Sequence, residues 1–180
     1  MFGWNRRSKM HYTSQNAQFS SCGRYRYNLE RSWKEGKGRV LFIALNPSTA
    51  DDQTDDPTTR RCVSFAHTWG YQKMEIVNLF AYRATYFNDL KNVSHPIGYY
   101  NDGWIAAGYD NADLVIACWG SHGNYLQRGD AIRNRFKTLH CINCNKTQQP
   151  SHPLYQKGDL KPLPMLEITK GQIWEEHEFR

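Results

Sequence analysis

The sequence of 180 residues has no apolar run of about 18 residues, the length that a membrane-spanning helix needs. Residues 1–10 carry Arg6, Arg7 and Lys9, but no apolar stretch follows them, so the segment does not resemble a secretory signal. The 5 cysteines are an odd number scattered along the chain, which is typical of a reduced protein. These features predict a cytoplasmic protein without a membrane partner, and nothing implies an obligate protein partner.

Common phosphate-binding and nucleophile motifs are also missing. The chain has no G-x-x-x-x-G-K-[ST] loop, no G-x-G-x-x-G turn and no G-x-S-x-G elbow, so ATPase and dinucleotide-binding functions lose their main support. Cys141 and Cys144 form a Cys-x-x-Cys pair, but no second pair stands at zinc-site spacing, and Cys141 falls within a predicted strand rather than at the start of a helix. We therefore expect no metal and no cofactor.

The charge balance favours a polyanionic partner. Lys and Arg number 23 against 17 Asp and Glu, which gives a net charge of +6, and the sequence pI is about 9.1. An excess of this size favours nucleic acid or phosphate groups as the ligand.

Alternating apolar strands and helices predict an α/β fold. Tyr25, Tyr27 and Leu29 alternate with polar residues, which predicts a β-hairpin over residues 17–33. Apolar runs predict four strands, and the patterns between them predict helices. The predicted strands are 40–45, 74–79, 114–119 and 138–142, and the predicted helices are 58–69, 101–109 and 128–136. We expect a three-layer α/β/α sandwich with a central, mainly parallel four-stranded sheet and an N-terminal hairpin.

We expect one domain over residues 1–180. Residues 1–16 form a basic arm in this interpretation, residues 17–155 the core, and residues 156–180 a C-terminal extension. In such folds ligands bind at the carboxyl ends of the strands. The residues after the four strands are, in order, Asn46, Ser48, Asp51 and Asp52, then Asn78 and Arg83, then Ser121 and His122, and finally Lys146, Ser151 and His152. An asparagine amide offers a donor and an acceptor together, which suits the edge of a nucleobase.

Four segments resemble motifs of the uracil-DNA glycosylase superfamily. Residues 41–48 (LFIALNPS) and 76–79 (IVNL) are similar to strands that end in a water-positioning residue and in a base-reading asparagine. Residues 115–121 (VIACWGS) and 151–154 (SHPL) resemble an apolar-Trp-Gly strand end and a His-Pro motif. The chain also looks like a small bacterial and phage family of unassigned function, with its signatures at residues 55–58 and 146–147. The hairpin has no counterpart in the glycosylases.

The resemblance implies that this protein cleaves an N-glycosidic bond in DNA, double- or single-stranded, after flipping the base out. Asn46 would position the water, His152 would donate to the departing base, and Asn78 would pair with its edge. Ser48 and Phe65 complete the implied base site. The implied DNA contacts are Ser151, Arg60, Arg83 and Lys146, with Leu154 or Tyr155 as a wedge.

Two departures from the superfamily pattern refine the hypothesis. Asn46 stands where the most active branch has Asp, so catalysis is slow or Asp51 or Asp52 assists. Ser48 stands where the uracil-specific branch has a tyrosine that excludes 5-substituted pyrimidines. We expect a base larger than uracil, such as a 5-modified pyrimidine of phage DNA, and a role in defence against such phage.

Each candidate also has a structural interpretation. Asn46 could end a strand in a turn, Asn78 could cap the next segment, and His152 could satisfy a loop carbonyl. Phe65 could lie in the core, and Asp56 could cap the following helix. Two other functions also remain open: a non-catalytic nucleic-acid-binding module, and a hydrolase of modified nucleosides or nucleotides.

Overall fold

The computed structural model describes residues 10–165, which form one mixed sheet covered by helices. Its strands are β1 (Ser14–Phe19), β2 (Arg26–Ser32), β3 (Arg39–Ala44), β4 (Lys73–Asn78), β5 (Leu114–Ala117), β6 (His140–Cys141) and β7 (Leu163–Pro164). Its α-helices are α1 (Pro57–Thr68), α2 (Phe87–Lys91), α3 (Asn101–Asp110) and α4 (Arg128–Arg135). The strand order across the 7-stranded sheet is β1-β2-β4-β3-β5-β6-β7. No helix among the described residues is long and apolar enough to cross a bilayer.

The four predicted strands form the parallel centre of this sheet. On β3, Phe42 lies between Ile76 of β4 and Ile116 of β5. The pairs β3–β4, β3–β5 and β5–β6 are all parallel. Leu41 and Ile43 point into one apolar cluster, whereas Val40, Phe42 and Ala44 point into the other. Both faces of β3 are therefore buried, as its continuous apolar run predicts.

Helices cover both faces. Cys62 and Phe65 of α1 pack on one face of the sheet, and Leu90, Ile105 and Ile132 of α2, α3 and α4 pack on the other. The prediction of helices on both sides of a parallel sheet is confirmed. The short helix α2 is not among the predicted helices, because five residues are too few to give a helical pattern.

Helix α1 shows how local sequence sets an element. The Asp56 carboxylate accepts a hydrogen bond of 2.7 Å from Thr59 N, and Pro57 occupies the first helical turn. The helix ends at Thr68, and Gly70 follows with φ +85°. The predicted bounds 58–69 are confirmed to within one residue at each end.

The predicted N-terminal hairpin is confirmed as β1 and β2, but the prediction of a four-stranded sheet is wrong, because the hairpin extends the sheet. β2 pairs antiparallel with β4, with Leu29 opposite Ile76, and β1 pairs with β2. Ser14 pairs with Ser32, so the arm predicted over residues 1–16 ends before β1; residues 1–9 lie outside the described part. The backbone donors and acceptors of an otherwise open β4 edge are satisfied in this way.

The C-terminal side also departs from the prediction. β7 pairs with β6, and Met165 packs in the core, so the sheet continues into the segment predicted to be an extension from residue 156. Residues 166–180 lie outside the described residues. β6 has 2 residues rather than the predicted five, since Asn143 begins a tight loop.

Candidate functional site

The carboxyl ends of the central strands meet at one edge of the sheet. Ala44 lies opposite Asn78, and its carbonyl accepts from Leu79 N at 2.9 Å. At the end of β5, Gly120 N donates to Pro150 O at 2.8 Å, which attaches the segment carrying Ser151 and His152 to the same edge. The segments predicted to carry the site are therefore neighbours.

An open depression of about 250 Å³ lies at this edge. Its lining consists of Ser48, Thr49, Arg83, Ala84 and Thr85. Three hydroxyls and one guanidinium make the lining polar and cationic, which suits an anionic or hydrogen-bonding ligand.

Asn46 is attached by its own amide group to Ala84, one of the residues that line the depression. Its Nδ2 donates to Ala84 O at 2.7 Å and to Pro47 O at 3.1 Å. In return, Ala84 N donates to Pro47 O at 2.9 Å, so the two loops are fixed to each other. Because the amide is planar and its donors are engaged, Oδ1 faces away from both carbonyls and can accept a hydrogen bond.

The hairpin sets the position of Arg83. Its guanidinium lies 5.0 Å from the centre of the Phe19 ring, and Nη1 donates to Gly23 O at 3.3 Å. Its Nε is buried without a hydrogen-bond partner. Because Arg83 lines the depression, its guanidinium brings a positive charge there, although the Nε atom itself is buried.

The sequence predicts Asn78 at the open edge of the sheet, but its side chain is buried below that edge. Its side chain is 1% exposed, and its Nδ2 has no hydrogen-bond partner. Asn101 fixes the backbone around it by donating to Asn78 O and Leu79 O at 2.8 and 3.2 Å. Packed side chains enclose Asn78 because β4 is central and covered on both faces. A buried amide donor without a partner is rare in folded proteins and often marks a functional position.

His152 is a half-buried imidazole that begins a 3-10 turn, Pro153–Tyr155. Its Nδ1 accepts from Leu154 N at 3.3 Å. Burial lowers the pKa of His152, and the charge of Asp56 opposes this effect more weakly. The imidazole is therefore neutral at pH 7, with its proton on Nε2, where it can donate.

The acidic loop has mainly structural contacts. Asp51 accepts from Gln53 N at 2.9 Å and Thr54 N at 2.7 Å, and these amides lower the pKa of its carboxyl group. Asp52 is exposed and accepts from the Gln53 side chain. Asp56 caps α1, which confirms that interpretation, and Asp55 pairs with Arg31 at 2.9 Å.

The remaining candidates divide into buried and exposed residues. Phe65 is 1% exposed, stacks on Trp69 in the core and offers no free ring face to a base, which corrects its assignment to the base site. Ser151 is buried at 8%. Leu154 and Tyr155 are 36% and 83% exposed, as a wedge requires. The basic candidates Arg60 and Lys146 are both exposed.

Comparison with known proteins gives a family but no activity. A family described as "Protein of unknown function (DUF1643)" matches residues 26–154. The chain belongs to the DUF1643 family. The match extends from β2 to the 3-10 turn and so includes Asn46, Arg83 and His152. No curated protein and no solved structure matches the chain. The predicted resemblance to a family of unassigned function is confirmed in this form, and the link to the glycosylase superfamily stays a prediction.

Sequence reasoning missed two buried arginines of this DUF1643 protein. Arg26 Nη1 donates to Ala50 O at 2.8 Å, and burial lowers the pKa of its guanidinium to about 10. Arg31 donates to Asp51 O at 2.6 Å besides its ion pair with Asp55. The two side chains hold the acidic loop against β2. The sequence does show two arginines on a predicted strand and a separate acidic loop, and this combination could have indicated a contact between them.

The Cys-x-x-Cys pair of the DUF1643 protein is buried and reduced. Cys141 Sγ and Cys144 Sγ are 3.8 Å apart, and the shared proton raises the pKa of Cys141 and lowers that of Cys144. Among residues 10–165 no group of three or more His, Cys, Asp or Glu side chains is placed to hold a metal ion.

Proposed function

We propose that this protein is a monofunctional DNA N-glycosylase that hydrolyses the bond between deoxyribose and a flipped-out pyrimidine. The observation that carries the proposal is the orientation of Asn46. Two backbone carbonyls hold its amide nitrogen, and one of them belongs to Ala84, which lines the depression, so we infer that its oxygen accepts a hydrogen bond from a water there.

The chemistry needs charge stabilisation more than a strong base. Cleavage of the N-glycosidic bond leaves positive charge on the sugar and negative charge on the base. The water held by Asn46 Oδ1 adds to the anomeric carbon, and its proton passes to solvent. The bond electrons leave with the base, whose charge is stabilised by a hydrogen bond from neutral His152 Nε2–H.

Several residues supply contacts to the DNA. Ser48 and Arg83 line the depression and would hold a phosphate, with Arg83 as the cation. Leu154 and Tyr155 are exposed beside His152, where one of them would fill the gap that the flipped base leaves. Arg60 and Lys146 would add electrostatic attraction to the backbone.

The small side chain of Ser48 favours a 5-modified pyrimidine as the target. Ser48 is half-buried at the rim of the depression, and no bulky side chain occupies its position. A substituent at carbon 5 therefore finds space that a tyrosine would fill. Defence against phage whose DNA carries such bases fits this preference.

A substrate panel tests the proposal. The protein is incubated with duplexes and single strands carrying uracil, 5-hydroxymethyl or sugar-decorated pyrimidines, and alkali then cleaves abasic sites. We expect cleavage of the modified strands, a loss of about 100- to 1,000-fold in His152→Ala, and an equal or larger loss in Asn46→Ala. Asn134→Ala is the control, because Asn134 is exposed near the far end of α4. Preference for plain uracil would refute the assignment of a larger base.

The enclosed position of Asn78 favours a second candidate, a non-catalytic nucleic-acid-binding module. With Asn78 at 1% exposure, a flipped base reaches its amide only after neighbouring side chains move. A protein that shifts DNA in a gel and leaves every strand of the panel intact would have this second function.

A further inference from the structure

We propose that Tyr99 and Tyr100, here called the tyrosine platform, stack on unpaired bases of a single DNA strand that leaves the depression beside Arg83. The proposal rests on the proposed function for the depression, since it extends that site. It adds a substrate class: DNA that is unpaired next to the recognised base.

The platform is exposed, yet it stands on a rigid support. Tyr99 is 92% exposed and Tyr100 64%, and their rings meet edge to face at 4.9 Å. The Tyr100 ring lies 6.1 Å from Tyr27, and the Tyr27 ring stacks on Trp104 at 6.3 Å with 7° between the planes. Tyr100 also begins α3. Rings held in this way lose little freedom when a base stacks on them.

Tyr25 and Tyr82 connect the loop that carries the platform to the segment of Arg83. An added Cβ at Gly98, the residue before Tyr99, would lie 3.1 Å from Tyr25 Cδ1, so the platform borders Tyr25 closely. Tyr25 meets Tyr82 edge to face at 5.5 Å, and Arg83, which lines the depression, follows Tyr82. Tyr82 N and Ala81 N donate to Pro96 O and Ile97 O, which fixes the loop of the platform to this segment.

The charge along this surface fits a nucleic acid. The backbone carbonyl of the exposed residue Arg24 accepts a hydrogen bond of 2.9 Å from Arg83 N, so Arg24 adds a second arginine next to the one that lines the depression. The acidic neighbour Asp102 is paired with Arg128 at 2.5 Å. Exposed aromatic rings beside arginines are the arrangement that binds single strands by stacking and phosphate contact. Paired bases in a duplex have no free face for a ring, which selects unpaired DNA.

The test measures binding of unmodified DNA, so it does not depend on cleavage. Fluorescence anisotropy gives the Kd for a labelled oligothymidine of about 12 nucleotides and for a duplex of equal length. For Tyr99→Ala we expect the single-strand Kd to rise about 5- to 150-fold, the loss of one stacked base. The duplex Kd should change by less than about twofold, since Tyr99 contributes no stacking there. Unchanged thermal unfolding confirms that the exposed substitution leaves the fold intact.

Matched substitutions separate stacking from other uses of the surface. Tyr99→Trp should keep the wild-type Kd, whereas Tyr99→Leu should bind as weakly as Tyr99→Ala, because leucine keeps apolar area but has no ring face. An unchanged Kd in Tyr99→Ala, full binding by Tyr99→Leu, or an equal loss on duplex would overturn the proposal. So would a wild-type dimer that Tyr99→Ala converts to a monomer in sedimentation, which would make the platform a contact between copies.

The outcome for the platform is independent of the outcome for the glycosylase. If single-strand binding depends on the Tyr99 ring but the protein releases no base, the platform proposal is supported and the glycosylase proposal is wrong. If the protein releases the base but Tyr99→Ala leaves the single-strand Kd unchanged, the glycosylase proposal is supported and the platform proposal is wrong.

Discussion

Asn46 is oriented by two backbone carbonyls, at 2.7 and 3.1 Å from its amide nitrogen. A single residue therefore connects the end of β3 to the loop at Ala84, and its amide oxygen faces away from the two carbonyls that hold the nitrogen. The proposed role of Asn46 requires that its nitrogen, and not its oxygen, faces the carbonyls of Pro47 and Ala84. Substitutions that exchange amide and carboxylate groups examine that question directly.

Asn46→Asp should lower the free energy of unfolding by about 1–3 kcal/mol. A carboxylate has no N–H donor, so the carbonyls of Ala84 and Pro47 lose their partner and face a negative charge. Urea denaturation measures the change. The exposed Asn124→Asp is the control and should change stability by less than about 0.5 kcal/mol. Equal stability of the two variants would mean that the carbonyls do not orient Asn46.

His152 should make stability depend on pH. Burial lowers the pKa of His152 in the folded state, so the unfolded chain binds more protons below its pKa of 6.5. The neutral, buried His152 therefore contributes its full share to the free energy of unfolding above pH 6.5. This share is lost as the pH falls through the lower pKa of the folded state. In urea denaturation from about pH 8 to pH 5, His152→Gln should show a weaker fall in stability than the wild type. Parallel pH profiles would contradict this expectation.

At the scale of elements, β2 organises the site although it carries none of its reacting groups. Arg31 is fully buried, pairs with Asp55 and also donates to Asp51 O. Tyr12 OH donates to the same Asp55 carboxylate at 2.5 Å. The strand thus holds the acidic loop that lies beside the depression.

Arg31→Leu should cost about 3–5 kcal/mol of stability, because Asp55 is left partly buried without its cation. Chemical denaturation measures the loss. The double variant Arg31→Leu with Asp55→Asn should recover part of it, since neither charge then remains unpaired. A single-variant cost below about 0.5 kcal/mol, as for an exposed charge, would show that the pair does not hold the loop.

Two glycines offer a matched comparison of backbone demands. Gly36, between β2 and β3, has φ +97°, and an added Cβ would lie 2.5 Å from Gly70 O. Gly103 in α3 has no atom within 4 Å of that position. In thermal unfolding, Gly36→Ala should destabilise by about 1–3 kcal/mol, and Gly103→Ala should stabilise by up to about 1 kcal/mol. Similar melting temperatures would contradict the account of this turn.

The sequence predicts the centre of the fold better than its edges, for a physical reason. A strand buried on both faces must be continuously apolar, so β3 is visible in residues 40–45. β2 carries Arg26 and Arg31 on a buried strand, and the partners that make this tolerable, Ala50 O for Arg26 and Asp55 for Arg31, are distant in sequence. β7 has two residues, too few for any pattern.

For the site, the sequence predicts which segments lie together but not how deeply each side chain is buried. The rule that ligands bind at strand ends places Asn46, Arg83 and His152 in neighbouring segments. It does not give the depth of a side chain, which depends on packing, and Asn78 and Phe65 are both buried for that reason. The shorter of the two hydrogen bonds that orient Asn46 goes to Ala84, 38 residues away in sequence, and no local pattern encodes it.

At the scale of the whole molecule, one mixed sheet joins three surfaces at its carboxyl edge. These are the polar depression with Asn46 and Arg83, the 3-10 turn with His152, and the tyrosine platform next to the hairpin. The parallel centre positions the first two, and the added hairpin fixes Arg83 through Phe19 and Gly23. We propose that this arrangement serves one reaction, the addition of water at a sugar carbon of DNA.

Mass spectrometry of the reaction in isotopically labelled water tests that claim most directly. The substrate is a strand with a single 5-modified pyrimidine, and both products are weighed without alkali treatment. We expect the free base and an otherwise intact strand whose abasic sugar contains one labelled oxygen, with neither product formed by Asn46→Ala. Recovery of the unaltered strand, or base release without labelled oxygen in the sugar, would contradict the account.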